Sequence, residues 1–343
     1  MDIQPFTEHY YENLREGSRR SAREIIPLIL ELIQPQSVID IGCGIGTWLS
    51  VFRQLGVEDV FGIDGDYVDR EMLEIPVEWF STFDLKRPLQ LDRQFDLVLS
   101  LEVAQHIPKE SAEIFVESLT KLGPIIVFSA AIPFQGGKKH VNEQWPDYWT
   151  EHFRKKGYIA IDCIRKRIWQ NENVEWWYAQ NMFVFVRCDD LRNYPLLKEK
   201  FEETDFCQLS VVHPEKYLDV VRWIQGTQLI KQDIMALIPS EDAFILADED
   251  QFGGELAIGR CFIPFLERNG KYWGPPSDDS TAISELERLR QSGAKFIVFG
   301  WPAFWWLDHY AELHNYLRSK FYCILENDRL LIFDMRLRNK NPK

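Results

Sequence analysis

The sequence predicts an α/β protein: a mostly parallel sheet with helices on both faces, closed by an antiparallel hairpin and followed by a second, smaller α/β unit. Three observations point there. Short apolar runs alternate with helical stretches over the first 130 residues. Two longer strand-like runs then follow, joined by a polar connector. The chain has 343 residues, and at roughly 100–200 residues per domain two domains are expected.

Residues 9–33 read as a helix with an apolar stripe through Ile25, Leu28, Ile29 and Leu32, stopped by Pro35. Ser37–Ile41 reads as a strand, Thr47–Leu55 as a helix, Asp59–Ile63 as a strand and Val77–Phe80 as a short strand. Phe95–Leu101 is a strong strand, Ser111–Leu122 a helix and Ile125–Ala130 a strand. A polar loop, Ile132–Gln144, precedes a helix over Pro146–Lys156. Tyr158–Trp169 and Val174–Val186 read as the hairpin strands, which puts Trp176-Trp177-Tyr178 on the hairpin. The charged stretch 188–207 carries Pro195 and reads as a boundary, giving domains over 1–190 and 208–343. In the second domain Tyr217–Leu237, Thr281–Gln291 and Trp305–Ser319 read as helices. Ala243–Ala247 and Lys295–Phe299 read as strands, and Phe321–Asp334 as a hairpin turning at Asn327-Asp328.

The formal net charge is −14. An acidic surface repels phosphate backbones and anionic lipid, so neither nucleic acid nor a membrane is expected as the main partner. The clusters Arg154-Lys155-Lys156 and Arg165-Lys166-Arg167 read as solvated helix and strand ends. None of the six cysteines forms a Cys-x-x-Cys pair or lies beside a His at metal-ligand spacing. That usage, an N-terminus without a signal core, and no apolar run near the ~20 residues of a membrane span fit a cytoplasmic protein.

The chemistry is concentrated where the strand Ser37–Ile41 runs into Asp40-Ile-Gly42-Cys-Gly44-Ile-Gly46 and then a helix. Glycines let the backbone turn sharply and approach a ligand, and a helix N-terminus offers unpaired N–H groups. A dinucleotide fingerprint, Gly-x-Gly-x-x-Gly, would need its third glycine where Thr47 stands. The acid at Asp40 suits a ligand with an ammonium group, which S-adenosylmethionine has and NAD lacks. Asp64 ends the next strand, about 20 residues past the glycines, where an acid can accept ribose hydroxyls; Asp66 is its near neighbour.

Residues 1–187 thus resemble a class I S-adenosylmethionine-dependent methyltransferase. Val38–Gly46 resembles that family's first motif, and Phe61-Gly-Ile-Asp64 its ribose-binding strand end. Phe83-Asp84-Leu85 resembles the segment on adenine, and Phe95–Glu102 the fourth strand, which passes beneath the methionine part. Tyr11 and Gly17-Ser18-Arg19 resemble the lid helix over the cofactor. The resemblance implies a Rossmann-like seven-stranded sheet, S-adenosyl-L-methionine as cofactor, and cofactor contacts at Tyr11, Asp40, Gly42, Gly44, Gly46, Asp64, Asp84, Leu85 and Glu102.

Methyl transfer to an alcohol asks for a general base. His106 follows the fourth strand at the sheet's carboxyl edge, and His140 is its rival in the polar loop. Asn142, Glu143 and Trp145 in that loop are candidate acceptor contacts. His140 and Glu143 alone are too few for a metal site, so no metal is expected. The leading expectation is O-methylation of a sugar-containing or other polar small molecule. N- or C-methylation, a non-catalytic cofactor-binding module and an NAD enzyme are the alternatives. A small-molecule or glycan acceptor is the expected partner, and a homodimer is allowed. The domain 208–343 shows no catalytic signature and is expected to serve substrate binding or oligomerisation. Its Asp248-Glu249-Asp250 run reads as a loop able to hold a cation but more in keeping with plain exposure. The numerous aromatics, 12 Trp and 23 Phe, read mainly as core.

Overall fold

A computed structural model describes residues 8–137, 139–252 and 261–336, with side chains from residue 16. The chain divides into two compact units, one of Phe6–Tyr217 and one built from Leu218–Lys343.

In the first unit α1 (Glu8–Ile33), β1 (Ser37–Ile41), α2 (Thr47–Gln54), β2 (Asp59–Asp64) and β3 (Phe80–Thr82) come first. Then follow β4 (Leu97–Leu101), α3 (Ala112–Leu122), β5 (Ile125–Ser129), α4 (Pro146–Lys155) and β6 (Tyr158–Ile161). The short helices α5 (Arg165–Ile168) and α6 (Trp176–Asn181) precede β7 (Phe183–Arg187) and α7 (Pro195–Glu202). The seven strands lie in the order β3-β2-β1-β4-β5-β7-β6. Only β7 runs antiparallel to its neighbours, so β6 is parallel to β5 and ends on the same edge as β1 and β4.

The strands alternate side chains between two cores. Val38, Leu97, Leu99, Val127 and Val184 face Ile25, Ile29, Leu49 and Phe52 of α1 and α2. Ile39, Val98, Ile126, Phe128 and Phe185 face Phe115, Leu119, Trp149 and Phe153 of α3 and α4. Both faces are buried, which is why these strands are continuous apolar runs rather than alternating ones.

The terminal hairpin differs from the sequence expectation. Its strands are short, and 162–182 form α5, α6 and their connectors instead of strand. Trp176-Trp177-Tyr178 therefore lies on α6, not on a strand. Tyr178 and Ala179 go into the core with Ile164 and Ile168, a spacing that tertiary packing reads as helix despite strand-favouring aromatics. The segment Val77–Trp79 is a 3-10 turn leading into β3. The stretch 188–207 is not a linker: α7 buries Leu197 in the first core, and the division falls after Tyr217. The basic runs also split. Arg165 is only 2% exposed, while Lys166 and Arg167 are exposed.

The second unit follows α8 (Pro214–Leu237) with β8 (Phe244–Ala247), β9 (Phe262–Pro264), β10 (Glu267–Arg268) and β11 (Lys271–Tyr272). It continues with α9 (Asp279–Gln291), β12 (Phe296–Gly300), α10 (Trp305–His309), α11 (Ala311–Lys320), β13 (Tyr322–Glu326) and β14 (Leu330–Asp334). The expected helix over 305–319 is two helices, broken at Tyr310. Its main sheet has the order β13-β14-β12-β8-β9. Ile245, Ile297 and Phe333 pack on α9–α11, and Phe244, Val298 and Ile332 on Ile230 and Ile234 of α8. Glu249 accepts both indole N–H groups of Trp305 and Trp306, at 2.9 and 3.1 Å, and Asp248 is buried. Asp248 and Glu249 are thus built into this unit, while Asp250 is exposed.

Candidate active site

The site grows from the carboxyl edge of the first sheet. After β1 the chain turns at Gly42, whose N–H donates to the Ile63 carbonyl at 2.7 Å. Its φ is +87°, and an added Cβ would lie 2.3 Å from Val103 Cγ2, so only glycine fits. Gly44 is different. Its φ of +55° also favours glycine, yet no atom lies within 4 Å of where its Cβ would be. The loop is open on that side. Gly46 caps the start of α2.

Asp64, buried at the end of β2, accepts the Gly44 N–H and the Gly65 N–H at 2.6 Å each, and the Tyr67 hydroxyl. It ties the glycine loop to β2. Asp40 is 3% exposed, and burial with the nearby Asp64 carboxylate pushes its carboxyl up to about 7. Glu102 follows β4 with φ +56°. Burial pushes its carboxyl up to about 7 as well, against hydrogen bonds that favour its charged form. Those bonds come from neutral groups: the amides of Asn181 at 3.1 Å, Gln105 at 3.3 Å and Gln135 at 3.4 Å, together with the Ser129 hydroxyl. This amide cluster has no sequence signature, because glutamines and asparagines from α6 and two loops carry no motif.

Phe83 N–H donates to the Asp64 carbonyl at 2.7 Å, which sets Asp84 and Leu85 beside the end of β2. Asp84 is exposed and accepts the Lys86 N–H at 3.2 Å; Leu85 is half-buried. Tyr11 belongs to α1, but its side chain lies outside the described residues. Further along α1, Arg19 pairs with Glu74 at 2.6 Å, and the Glu74 N–H holds the Ile45 carbonyl of the glycine loop at 2.8 Å.

The two base candidates meet. His106 and His140 stack edge to face with ring centroids 4.9 Å apart. His106 is exposed, and its Nδ1 lies 3.2 Å from the Lys139 carbonyl, so that nitrogen donates and Nε2 is left as acceptor. Partial desolvation of its ring against the neighbouring loop lowers the His106 pKa below 6.5, helped by His140 and opposed by the Lys139 carbonyl and the Asp64 carboxylate. His140 is more enclosed. Its Nδ1 lies 2.7 Å from Glu143, which also accepts the Gly136 N–H at 2.8 Å, and its Nε2 faces the backbone of Gly137. Asn142 is buried and accepts from Gln144 at 3.0 Å, with its backbone N–H on the Gln105 carbonyl. Trp145 is 41% exposed at the start of α4. Among the described residues, no three His, Cys, Asp or Glu side chains are grouped to hold a metal ion. All six cysteines are free thiols, and no described helix is long and apolar enough to cross a membrane.

With this geometry in place, residues 11–191 match the family model described as a methyltransferase domain, and the chain belongs to that family. It is an enzyme of the methyltransferase class. Among solved structures it is similar to magnesium protoporphyrin IX methyltransferase from Synechocystis PCC 6803 with bound SAH, at 18% identity over 55% of this chain and 90% of that one, TM-score 0.39. It is similar to an amino pentose methyltransferase from Micromonospora echinaspora, at 13% identity over 55% and 99%, TM-score 0.39. A sugar N-methyltransferase from Streptoalloteichus gives 13% identity over 55% and 95%, TM-score 0.43. No curated protein matches the chain.

Proposed function

We propose that the first unit binds S-adenosylmethionine and directs its methyl group to a hydroxyl of a sugar-containing or similarly polar small molecule. The observation that carries this is the open side of Gly44 in a loop flanked by two carboxylates, the buried Asp40 and the half-buried Glu102, both raised to about 7. Buried acids held that high favour a cationic guest, because a positive charge beside them offsets the desolvation that raises them. S-adenosylmethionine carries an ammonium and a sulfonium, so the donor set fits it. When bound, that cofactor supplies the electrophilic methyl group.

The chain's own residues supply position and proton transfer. Asp40 and Glu102 hold positive charge at the ends of β1 and β4, and the Gly44 loop leaves room for the body of the ligand. Asp64 and the 83–85 segment serve the ribose and adenine. His106 acts as base: the Lys139 carbonyl fixes its Nδ1–H, Nε2 accepts the acceptor's proton, and its low pKa keeps it neutral at pH 7. His140, held by Glu143, backs the His106 ring instead of competing with it. The polar loop 132–144 around this pair suits a hydrophilic acceptor. The second unit is accessory, for acceptor binding or self-association.

The test is calorimetry and turnover on the full chain. His106→Ala should keep S-adenosylhomocysteine affinity within about 3-fold and lose roughly 10²–10⁴ in turnover on hydroxylated acceptors. Unchanged turnover would remove His106 from the mechanism.

A further inference from the structure

One large feature of the first unit is untouched by that mechanism. A cavity of about 650 Å³ opens beside Asp162, the residue after β6. Because β6 is parallel to β5, the cavity lies on the same carboxyl edge as Glu102 and His106. Three strand steps separate β4 from β6 in the sheet order, which at ~4.8 Å per step is about 14 Å.

The lining decides the ligand class. Arg165 is already engaged, with Asp162 at 2.6 Å and with the Gln180 and Leu209 carbonyls at 3.0 and 2.8 Å. Arg167 pairs with Glu31 at 2.9 Å. That leaves Lys166 and Asp205 in the lining, one charge of each sign, so a phosphate is poorly matched. Only Trp169 and Val211 are apolar, so a flat hydrophobe is poorly matched too. The rest is amide: Gln170 and Gln208, each able to donate and accept, beside Asn171, whose own amide is bonded to Glu24 at 2.9 Å and to the Asn173 N–H at 3.0 Å. Trp169 is pinned by His213, whose ring centroid lies 4.8 Å away and whose Nε2 donates to the Trp169 carbonyl at 2.9 Å. A fixed indole face with amides and one acid around it suits the C–H face and hydroxyl rim of a pyranose.

We infer that this cavity is a saccharide subsite that holds a neutral sugar unit of the acceptor, three strand positions along the sheet edge from the end of β4. The inference rests on the acceptor reading above and sharpens it: the acceptor is an oligosaccharide or glycoside longer than one ring. Binding at a remote unit then helps orient the reacting hydroxyl.

The experiment is saturation-transfer NMR on the full chain with maltotriose, cellotriose and triacetylchitotriose, each with glucose and inorganic phosphate as competitors. At least one trisaccharide should bind, should outcompete glucose at least 5-fold, and should be indifferent to phosphate. Trp169→Ala should weaken it at least 10-fold. Gln170→Ala/Gln208→Ala, which alters two exposed side chains, should do the same, while S-adenosylhomocysteine affinity stays unchanged in both variants. Absence of transfer from all three sugars, displacement by phosphate, or binding that survives both variants would overturn the inference. Loss of S-adenosylhomocysteine binding by the unaltered chain would instead overturn the methyl-donor reading, whatever the sugars do.

Discussion

Replacing Asp40 by asparagine should stabilise the ligand-free protein while weakening donor binding. The Asp40 carboxyl is raised from 3.8 to about 7, mainly by burial. At 1.36 kcal/mol per pKa unit this is about 4 kcal/mol against the charged, folded form. Between about pH 4 and 7 the folded protein keeps a proton that the unfolded chain has lost. Stability therefore falls as pH rises through that window, and the penalty is complete above about 7. A buried amide still costs about 1–3 kcal/mol, so Asp40→Asn should gain about 2 kcal/mol at pH 8. For a unit of this size that is about 4–8 °C. At pH 5.5 the native acid is already mostly neutral, and the gain should nearly vanish. Thermal unfolding of the full chain at both pH values, following the transition that S-adenosylhomocysteine shifts, reads this directly. The variant should also bind S-adenosylhomocysteine at least 10-fold more weakly at pH 8. A lower midpoint at pH 8, or an equal gain at both pH values, would refute the claim that Asp40 is a buried charge awaiting a cation.

Other outcomes follow from single features. Gly44→Ala should cost only about 1 kcal/mol in stability, from its positive φ, because nothing lies within 4 Å of the new Cβ. Its donor affinity, by calorimetry, should fall at least 10-fold, because the proposed donor site uses that open side. His106 should titrate below 6.5 by NMR in the donor-free protein; a midpoint above 7 would contradict the role of neutral base. Arg165→Ala should destabilise the first unit by about 3–5 kcal/mol in urea unfolding, since it strands Asp162 and two buried carbonyls.

The glycine loop was legible because its demands are local. Asp40, Gly42, Gly44 and Gly46 lie within one turn of chain, and each answers to backbone shape or burial near its own position. Most strands of both sheets were legible as apolar runs for the same reason; the edge strand β9 was not, since its three residues end in Pro264. The terminal hairpin was not, because Trp176, Trp177 and Tyr178 favour strands while packing of Tyr178 and Ala179 against the core requires a helix. The meeting of His106 and His140 joins two loops, and no spacing in sequence announces it. Gln105, Gln135 and Asn181 around Glu102 were invisible on the same ground. Arg165 did leave a signal: it sits between the apolar Ile164 and Ile168, with Asp162 three residues before it as an ion-pair partner.

The central claim is that the first unit is built for a cationic, adenosine-bearing methyl donor. Its most direct test is calorimetric titration of the full chain with S-adenosylmethionine, S-adenosylhomocysteine and NAD. One S-adenosylmethionine site per chain should appear, tightening as pH rises through about 7 as Asp40 and Glu102 ionise. Tight NAD binding with no S-adenosylhomocysteine binding would contradict the account.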